Sequence, residues 1–357
     1  MIRLAQLMRQ YQQAFTTQYA SKMTYRHYQA MTAMMACHTS AQGELHYQCG
    51  TCEHKQTLYR SCGHRSCPAC QHQTNNQWLE RQRQKLLPTD YYMITFTLPR
   101  ELRSFVWHHQ EWAFKTLFAI TAGIINTFYK NDKCLGVEPG FTGILHTHSR
   151  RKDFHPHMHY IVPNGGVNKE QRVFKQKNKR YLFNGRALAA RFRRQFLKAM
   201  KDAGFYAPAN IPNKWIAQCK KVGRGEPALV YMARYLYRGV ISENDIIDHS
   251  NGKVTFRYRD SRTKKMKTRT ESAVTFLWLI LQHVLPKGFR RVRDYGFLHG
   301  NAKKTRHRIQ LMLRACLSHG VVPAKKMLSC TCCGSHMLFV GMTTKRYANN
   351  ASTRPRP

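Results

Sequence analysis

Acidic side chains are scarce in this chain: 18 Asp and Glu stand against 59 Lys and Arg among 357 residues, a formal charge of +41. Self-repulsion at that charge works against a compact state unless a polyanion relieves it. An acidic or small-molecule enzyme would have little use for so much positive charge. Nucleic acid is the fitting partner, because each neutralised phosphate releases a condensed counterion. Long apolar runs are missing too. The most apolar helix-like stretch, Ala273 to Leu285, is too short for a bilayer and contains Gln282 and His283. Met1 to Ala14 is polar and amphipathic rather than signal-like. A soluble, intracellular protein is expected. The chain also has no GxxxxGK[ST] phosphate loop, no HExxH and no internal repeat, which argues against a nucleotide-driven motor and a zincin-type hydrolase.

What is abundant is base and cysteine. Eleven Lys or Arg and no acid occur from Gln171 to Lys201, and eleven more with no acid follow Asp294. Twelve cysteines in a reducing compartment point to metal or free thiols rather than disulfides.

The hydrophobic pattern predicts a mixed α+β chain on an antiparallel sheet. Helix is expected up to about residue 40, and a Cys/His-rich module from 44 to 72. A strand follows at Tyr91–Leu98, then helix from Phe105 to Tyr129. Strands at Gly143–His148 and Met158–Val162 form a hairpin. A basic helix is expected from 185 to 203, a strand around Trp215–Lys221, a helix over 227–237, a basic hairpin over 253–270 and a helix over 272–285. Four units result: 1–88, a helix and zinc module; 89–250, the catalytic part; 251–325, a basic extension; and 326–357, a Cys-rich knuckle and tail.

Cys49-x2-Cys52 and Cys67-x2-Cys70 are separated by fourteen residues. Two such turns place four thiolates around one tetrahedral ion, so these four are expected to hold structural zinc, with Cys62 or His64 replacing or assisting one of them. A second cluster, Cys330, Cys332 and Cys333, has one CxxC and no clear second pair. Cys316, His319 and His336 are its candidate completions.

In FHPHMHYIV, His157 and His159 lie two apart on a strand and share one face, while Met158 points into the core. The preceding strand offers His146, the first choice for a third ligand, and His148, the second. The turn is expected to set His148 opposite His157 and His146 opposite His159. Tyr231 and Tyr235 stand at i and i+4 on a helix, where Arg234 or Arg238 and a nearby ion could favour a phenolate. Tyr258, Phe289 and Tyr295 are either base-stacking platforms or ordinary core.

The chain resembles the two-tyrosine HUH transposases of bacterial rolling-circle insertion sequences, the IS-ninety-one family, over nearly its whole length. The residues that carry the resemblance are CGTC…SCGHRSCPAC with the strand ending in FTLP, HPHMHYIVPNGG, YMARYLYR, VTFRYRD and HVLPKGFRRVRDYGFL. It implies an HUH endonuclease core behind a zinc module. It implies a Mg or Mn ion on His157, His159 and His146, with Tyr231 and Tyr235 as nucleophiles forming 5′-phosphotyrosine links. The implied partners are single-stranded DNA, transposon ends and target DNA, with help from a host helicase. Lys220, Arg234, Arg238, Arg290 and Arg291 would contact that DNA, in the cytoplasm at the bacterial nucleoid. A plasmid replication initiator or relaxase would use the same triplet and tyrosines. A non-catalytic zinc-ribbon nucleic-acid-binding protein would explain the charge and cysteines, but not the aligned histidines.

Overall fold

A computed structural model describes residues 2–344 except 169, 171, 178–180, 225–226, 228–239, 261–262 and 316–326. The expected α+β character holds, and the strand pairs are antiparallel. The chain opens with α1 (Leu4–Tyr19), α2 (Tyr25–Ala36), the hairpin β1 (Glu44–Cys49) and β2 (Lys55–Tyr59), and α3 (Pro68–Arg83). The helix expected up to residue 40 is therefore two. Thr24 starts the second, and its N–H donates to His27 Nδ1 at 2.9 Å. Next come β3 (Asp90–Thr97), α4 (Arg103–His108), α5 (Gln110–Asn131), β4 (Phe141–His148) and β5 (Phe154–Pro163). The small pair β6 (Gly165–Asn168) and β7 (Val173–Gln176) leads to α6 (Gly185–Asp202) and β8 (Ile216–Arg224). The last part holds β9 (Ile246–Ser250), β10 (Lys253–Arg259), β11 (Met266–Ser272), α7 (Ala273–Leu281), β12 (Val292–Tyr295), α8 (Lys303–Met312) and β13 (Met337–Met342).

The central sheet has the order β12-β4-β5-β3-β8. Its strands alternate faces with period two, and the two faces have different fates. On one, Tyr92, Ile94 and Phe96 join Leu145, Met158, Tyr160 and Val162 in the main core. Helices α5 and α6 cover this face with residues at helical spacing: Phe114, Leu117 and Phe118, then Leu188, Phe192, Phe196 and Met200. Asn184 starts α6 by accepting from Arg186 N at 2.8 Å and Ala187 N at 3.2 Å. The sheet is close-packed here, since a Cβ at Gly143 would fall 2.4 Å from the Tyr160 ring. Truncating a ring such as Phe192 to Ala should cost about 3–5 kcal/mol.

On the opposite face Tyr91, Met93, Ile144 and Ile161 meet Trp78 and Leu79 of α3. The helix that leaves the Cys/His module thus caps part of the sheet.

A second core forms from α1, α2, α7 and β10, with Tyr19 stacked on Trp278 at 4.8 Å and 12°. Strand β13 pairs with β1 in the order β13-β1-β2. The segments expected as separate N-terminal, basic and C-terminal units therefore share packing and a sheet. Arg65, in the Cys/His module, donates to the carbonyls of Phe289 (2.7 Å), Leu285 (3.0 Å) and Pro286 (2.8 Å). No helix among the described residues is long and apolar enough to cross a membrane.

Candidate metal centres and active site

Met158 and Tyr160 fill the core, so His157 and His159 turn to the other face of β5. Strand β4 presents His146 beside them. Ring centroids lie 5.2 Å apart for His146–His157, 4.7 Å for His146–His159 and 4.8 Å for His157–His159. One nitrogen of each ring lies within 4.8 Å of the other two. The ladder differs from the expected register: His146 faces His157, and Ile144 faces His159. An irregularity follows, because β5 uses one more residue than β4 before His148 meets Phe154. His148 is taken elsewhere. Its ring stacks on His283 at 3.8 Å, and its Nε2 lies 3.3 Å from Gln282 Oε1. Of the two candidates for a third ligand, the fold gathers His146 with the pair and sets His148 on His283.

The Nδ1 atoms are engaged behind the cluster. His157 Nδ1 donates to the His155 carbonyl at 2.6 Å, and His159 Nδ1 lies 3.0 Å from Thr95 Oγ1 on β3. The carbonyl can only accept, which fixes the His157 tautomer, and Nδ1 contacts of this kind would turn Nε2 toward an ion. Thr95 was not foreseen, since a threonine in a strand carries no signal of its own. Burial pushes His157 down to about 4, against backbone bonding to His155, and holds His146 and His159 well below the ordinary histidine value. At neutral pH all three rings are uncharged bases, the form a metal ion requires.

Arg291 lies along the edge of β4, one residue beyond the β12 ladder. Its Nε donates to the Leu145 carbonyl at 3.0 Å, and Leu145 N donates to the Arg291 carbonyl at 2.9 Å. Burial lowers its own ionisation, and its charge opposes protonation of His146 and His157. Arg290 beside it is exposed. Lys220 is exposed on β8 opposite Met93, which places it on the histidine face. His155 adjoins His157 with ring centroids 5.0 Å apart, but its Nδ1 lies 2.7 Å from Arg103 Nη2 and it is not one of the three whose nitrogens converge. Tyr231, Tyr235, Arg234 and Arg238 lie outside the described residues. Of the three candidate stacking aromatics, Phe289 is buried in the main core and Tyr295 stacks on Phe141 at 4.9 Å. Tyr258 is partly buried against the second core. Packing therefore occupies all three.

The cysteines group differently from the expected set. Cys49 and Cys52 do not share a site with Cys67 and Cys70. Cys67 and Cys70 meet Cys62 and Cys37, with sulfurs 3.5 Å apart for Cys62–Cys70, 3.6 Å for Cys37–Cys70 and 3.7 Å for Cys37–Cys67. Cys49 and Cys52 meet Cys330 and Cys333. Four thiolates around tetrahedral zinc, at Zn–S distances of about 2.3 Å, stand about 3.8 Å apart, so the first cluster has the donor type and spacing for zinc. Its thiols resist ionising on their own: burial leads in pushing Cys37 up to about 12, and hydrogen bonding to Cys62 leads in raising Cys67. A cation among them removes that penalty. His64 stays outside, its Nδ1 accepting from Ser66 N at 3.2 Å. Cys37 lies far from any CxxC and follows α2, so spacing gave no hint of it.

Comparison with known proteins places the chain in a family. A family model described as "Transposase zinc-binding domain", of the IS91 type, matches residues 7–98. Another, described as "Putative transposase", matches residues 140–306. A Sinorhizobium fredii (strain NBRC 101917 / NGR234) protein carrying that same description, y4qJ, is 33% identical over 318 residues, covering 83% of this chain and 80% of the relative. The transposase for insertion sequence element IS801 of Pseudomonas savastanoi pv. phaseolicola is 31% identical over 294 residues, covering 76% of this chain and 70% of the relative. No solved structure matches the chain. With the zinc-binding and transposase models both matched in order, this chain belongs to the IS91 family of transposases.

Proposed function

We propose that this transposase cleaves and rejoins single-stranded DNA at the ends of a rolling-circle insertion sequence, using Tyr231 and Tyr235 as successive nucleophiles. The observation that carries this reading is the His146–His157–His159 cluster, three neutral imidazoles on adjacent strands with Nδ1 of two already engaged. Those residues would hold one divalent ion. Nitrogen donors suit a transition-metal ion better than magnesium, so manganese is favoured of the two expected. When bound, such an ion polarises the scissile phosphate.

One tyrosine oxygen forms a bond to the scissile phosphorus as the bond to the 3′ oxygen breaks. The phenol proton leaves, and the 3′ oxygen takes one up as a free hydroxyl. The strand end stays on the protein as a 5′-phosphotyrosine, so the phosphodiester energy is retained and no nucleotide is consumed. The second tyrosine can then open another junction while the first still holds its strand. Lys220 and Arg290, with Arg234 and Arg238, would hold backbone phosphates, whereas the buried Arg291 is taken up by the Leu145 carbonyl. Unpaired DNA is the substrate this chemistry needs, and a host helicase would supply it.

The test is incubation with labelled single-stranded DNA from the element's ends and Mg or Mn, followed by a denaturing gel. A covalent protein–DNA adduct is expected, absent with chelator and absent in the Tyr231→Phe/Tyr235→Phe double variant, which still binds. Binding without any adduct across several end sequences and both metals would overturn the reading in favour of a non-catalytic DNA-binding protein.

A further inference from the structure

Cys49, Cys52, Cys330 and Cys333 make a second four-thiol cluster, formed by two turns of the same build. In each turn the N–H of the third residue reaches the first sulfur: Thr51 N to Cys49 Sγ and Cys332 N to Cys330 Sγ, both 3.4 Å. The N–H of the fifth residue then bonds the first carbonyl, Glu53 to Cys49 at 3.2 Å and Gly334 to Cys330 at 2.9 Å. That fifth residue is left-handed in both, with φ of 58° at Glu53 and 75° at Gly334. The first cysteine's own N–H donates five residues ahead, to the His54 carbonyl at 2.9 Å and the Ser335 carbonyl at 2.7 Å.

The two turns face each other, with sulfurs 3.5 Å apart for Cys49–Cys333 and 3.6 Å for Cys52–Cys330. The match also accounts for the extra thiol. Cys332 occupies the third place, the position of Thr51, and is exposed rather than directed at the cluster. Beyond the β1–β13 ladder and a Thr331 Oγ1–His54 Nε2 contact of 3.3 Å, little holds the turns together. The local core is Cys49, Cys330 and Met337, with Tyr47 and Leu328 partly buried against it. So few apolar groups cannot by themselves join segments 278 residues apart.

We propose that Cys49, Cys52, Cys330 and Cys333 bind a second zinc ion, distinct from that of Cys37, Cys62, Cys67 and Cys70. It clasps β13 onto β1 and makes residues 327–344 a working part of the N-terminal zinc module. The chain would carry two zinc ions, one of which depends on its C-terminal segment. This does not rest on the tyrosine chemistry and goes beyond it.

Native mass spectrometry of the purified full chain tests it, with two bound zinc ions expected. The Cys330→Ser/Cys333→Ser variant should retain one, and proteolysis near β13 should accelerate. The Cys62→Ser/Cys67→Ser variant should likewise keep one. Should a variant fail to fold, thiol counting on the wild type decides: eight of twelve cysteines should resist a thiol reagent until chelator is added. A single zinc in the wild type, two in the Cys330/Cys333 variant, or only four shielded thiols would overturn the proposal.

Discussion

The histidine cluster and the cysteine clusters are both candidate ligand sets, assembled in opposite ways. His146, His157 and His159 come from one hairpin, on a sheet whose other face is a full apolar core. The fold makes that site, and the site adds little to the fold. The cysteines come from turns and helix ends, with Cys52 and Cys330 separated by 278 residues. At Cys49, Cys52, Cys330 and Cys333 an ion would make the fold, because the turns that supply those ligands carry few apolar side chains of their own. A preformed site can exchange its metal without unfolding. A site that assembles its own segment cannot.

This contrast can be broken most severely from the cysteine side. In isolated zinc-finger peptides the ion supplies on the order of 10–16 kcal/mol of apparent binding free energy, and that energy is folding energy. Cys67→Ser should therefore lose a zinc ion and deprotect residues 37–70 in hydrogen exchange, while β3–β5 stay protected. Equal protection of 37–70 in variant and wild type would end the distinction. The histidine side should behave in reverse. His157→Ala is expected to reduce DNA cleavage more than about a hundredfold, beyond the 10–100-fold typical of losing an outer partner. Its melting temperature should move by only a few degrees, and a collapse like that of Cys67→Ser would contradict it.

Thr95→Val sharpens the same point with a smaller effect. It removes the partner of His159 Nδ1 and keeps the side chain's shape. Manganese affinity, read by titration calorimetry, should fall about 10–100-fold with the fold intact; unchanged affinity would mean that Thr95 does not orient the ring.

The smallest effect concerns pH. Burial holds His27, packed near Trp278, down at about 4 against an ordinary 6.5. Between those values the unfolded chain binds a proton that the folded chain does not, so stability rises as pH rises through that window, is lost on acidification and is complete above 6.5. Denaturant midpoints at pH 7 and pH 5 should differ in that direction, and less so in His27→Gln. A midpoint that rises on acidification would refute the assignment.

How far the residues alone led differs between the same two regions. The β4–β5 hairpin, the outward histidines and inward Met158 were readable because strand alternation is local. Pairing alone could not choose between His146 and His148, which share a face; the irregularity that leaves His148 on His283 separates them. The exact register was not readable, since the irregularity before His148 depends on how β5 packs. The CxxC turns were equally plain as turns. Their partners were not, because thiolate spacing says that a turn can bind and nothing about which distant turn faces it. Thr95 and Arg291 acquire their roles in the same way, through strand order and burial that no local pattern encodes.

Composition and period therefore determined the partner, the class of fold and the chemical character of each motif: a polyanion for +41 charges, antiparallel strands, imidazoles on one face, thiols in tight turns. These follow from charge and from neighbours a few residues away. The tertiary structure alone decided that α3 caps the sheet beside the histidines, that Cys37 and Cys62 complete one cluster, and that the two ends of the described chain close another. Those are contacts between residues far apart in the chain. They are selected by the summed burial of whole elements, a quantity that belongs to the folded molecule.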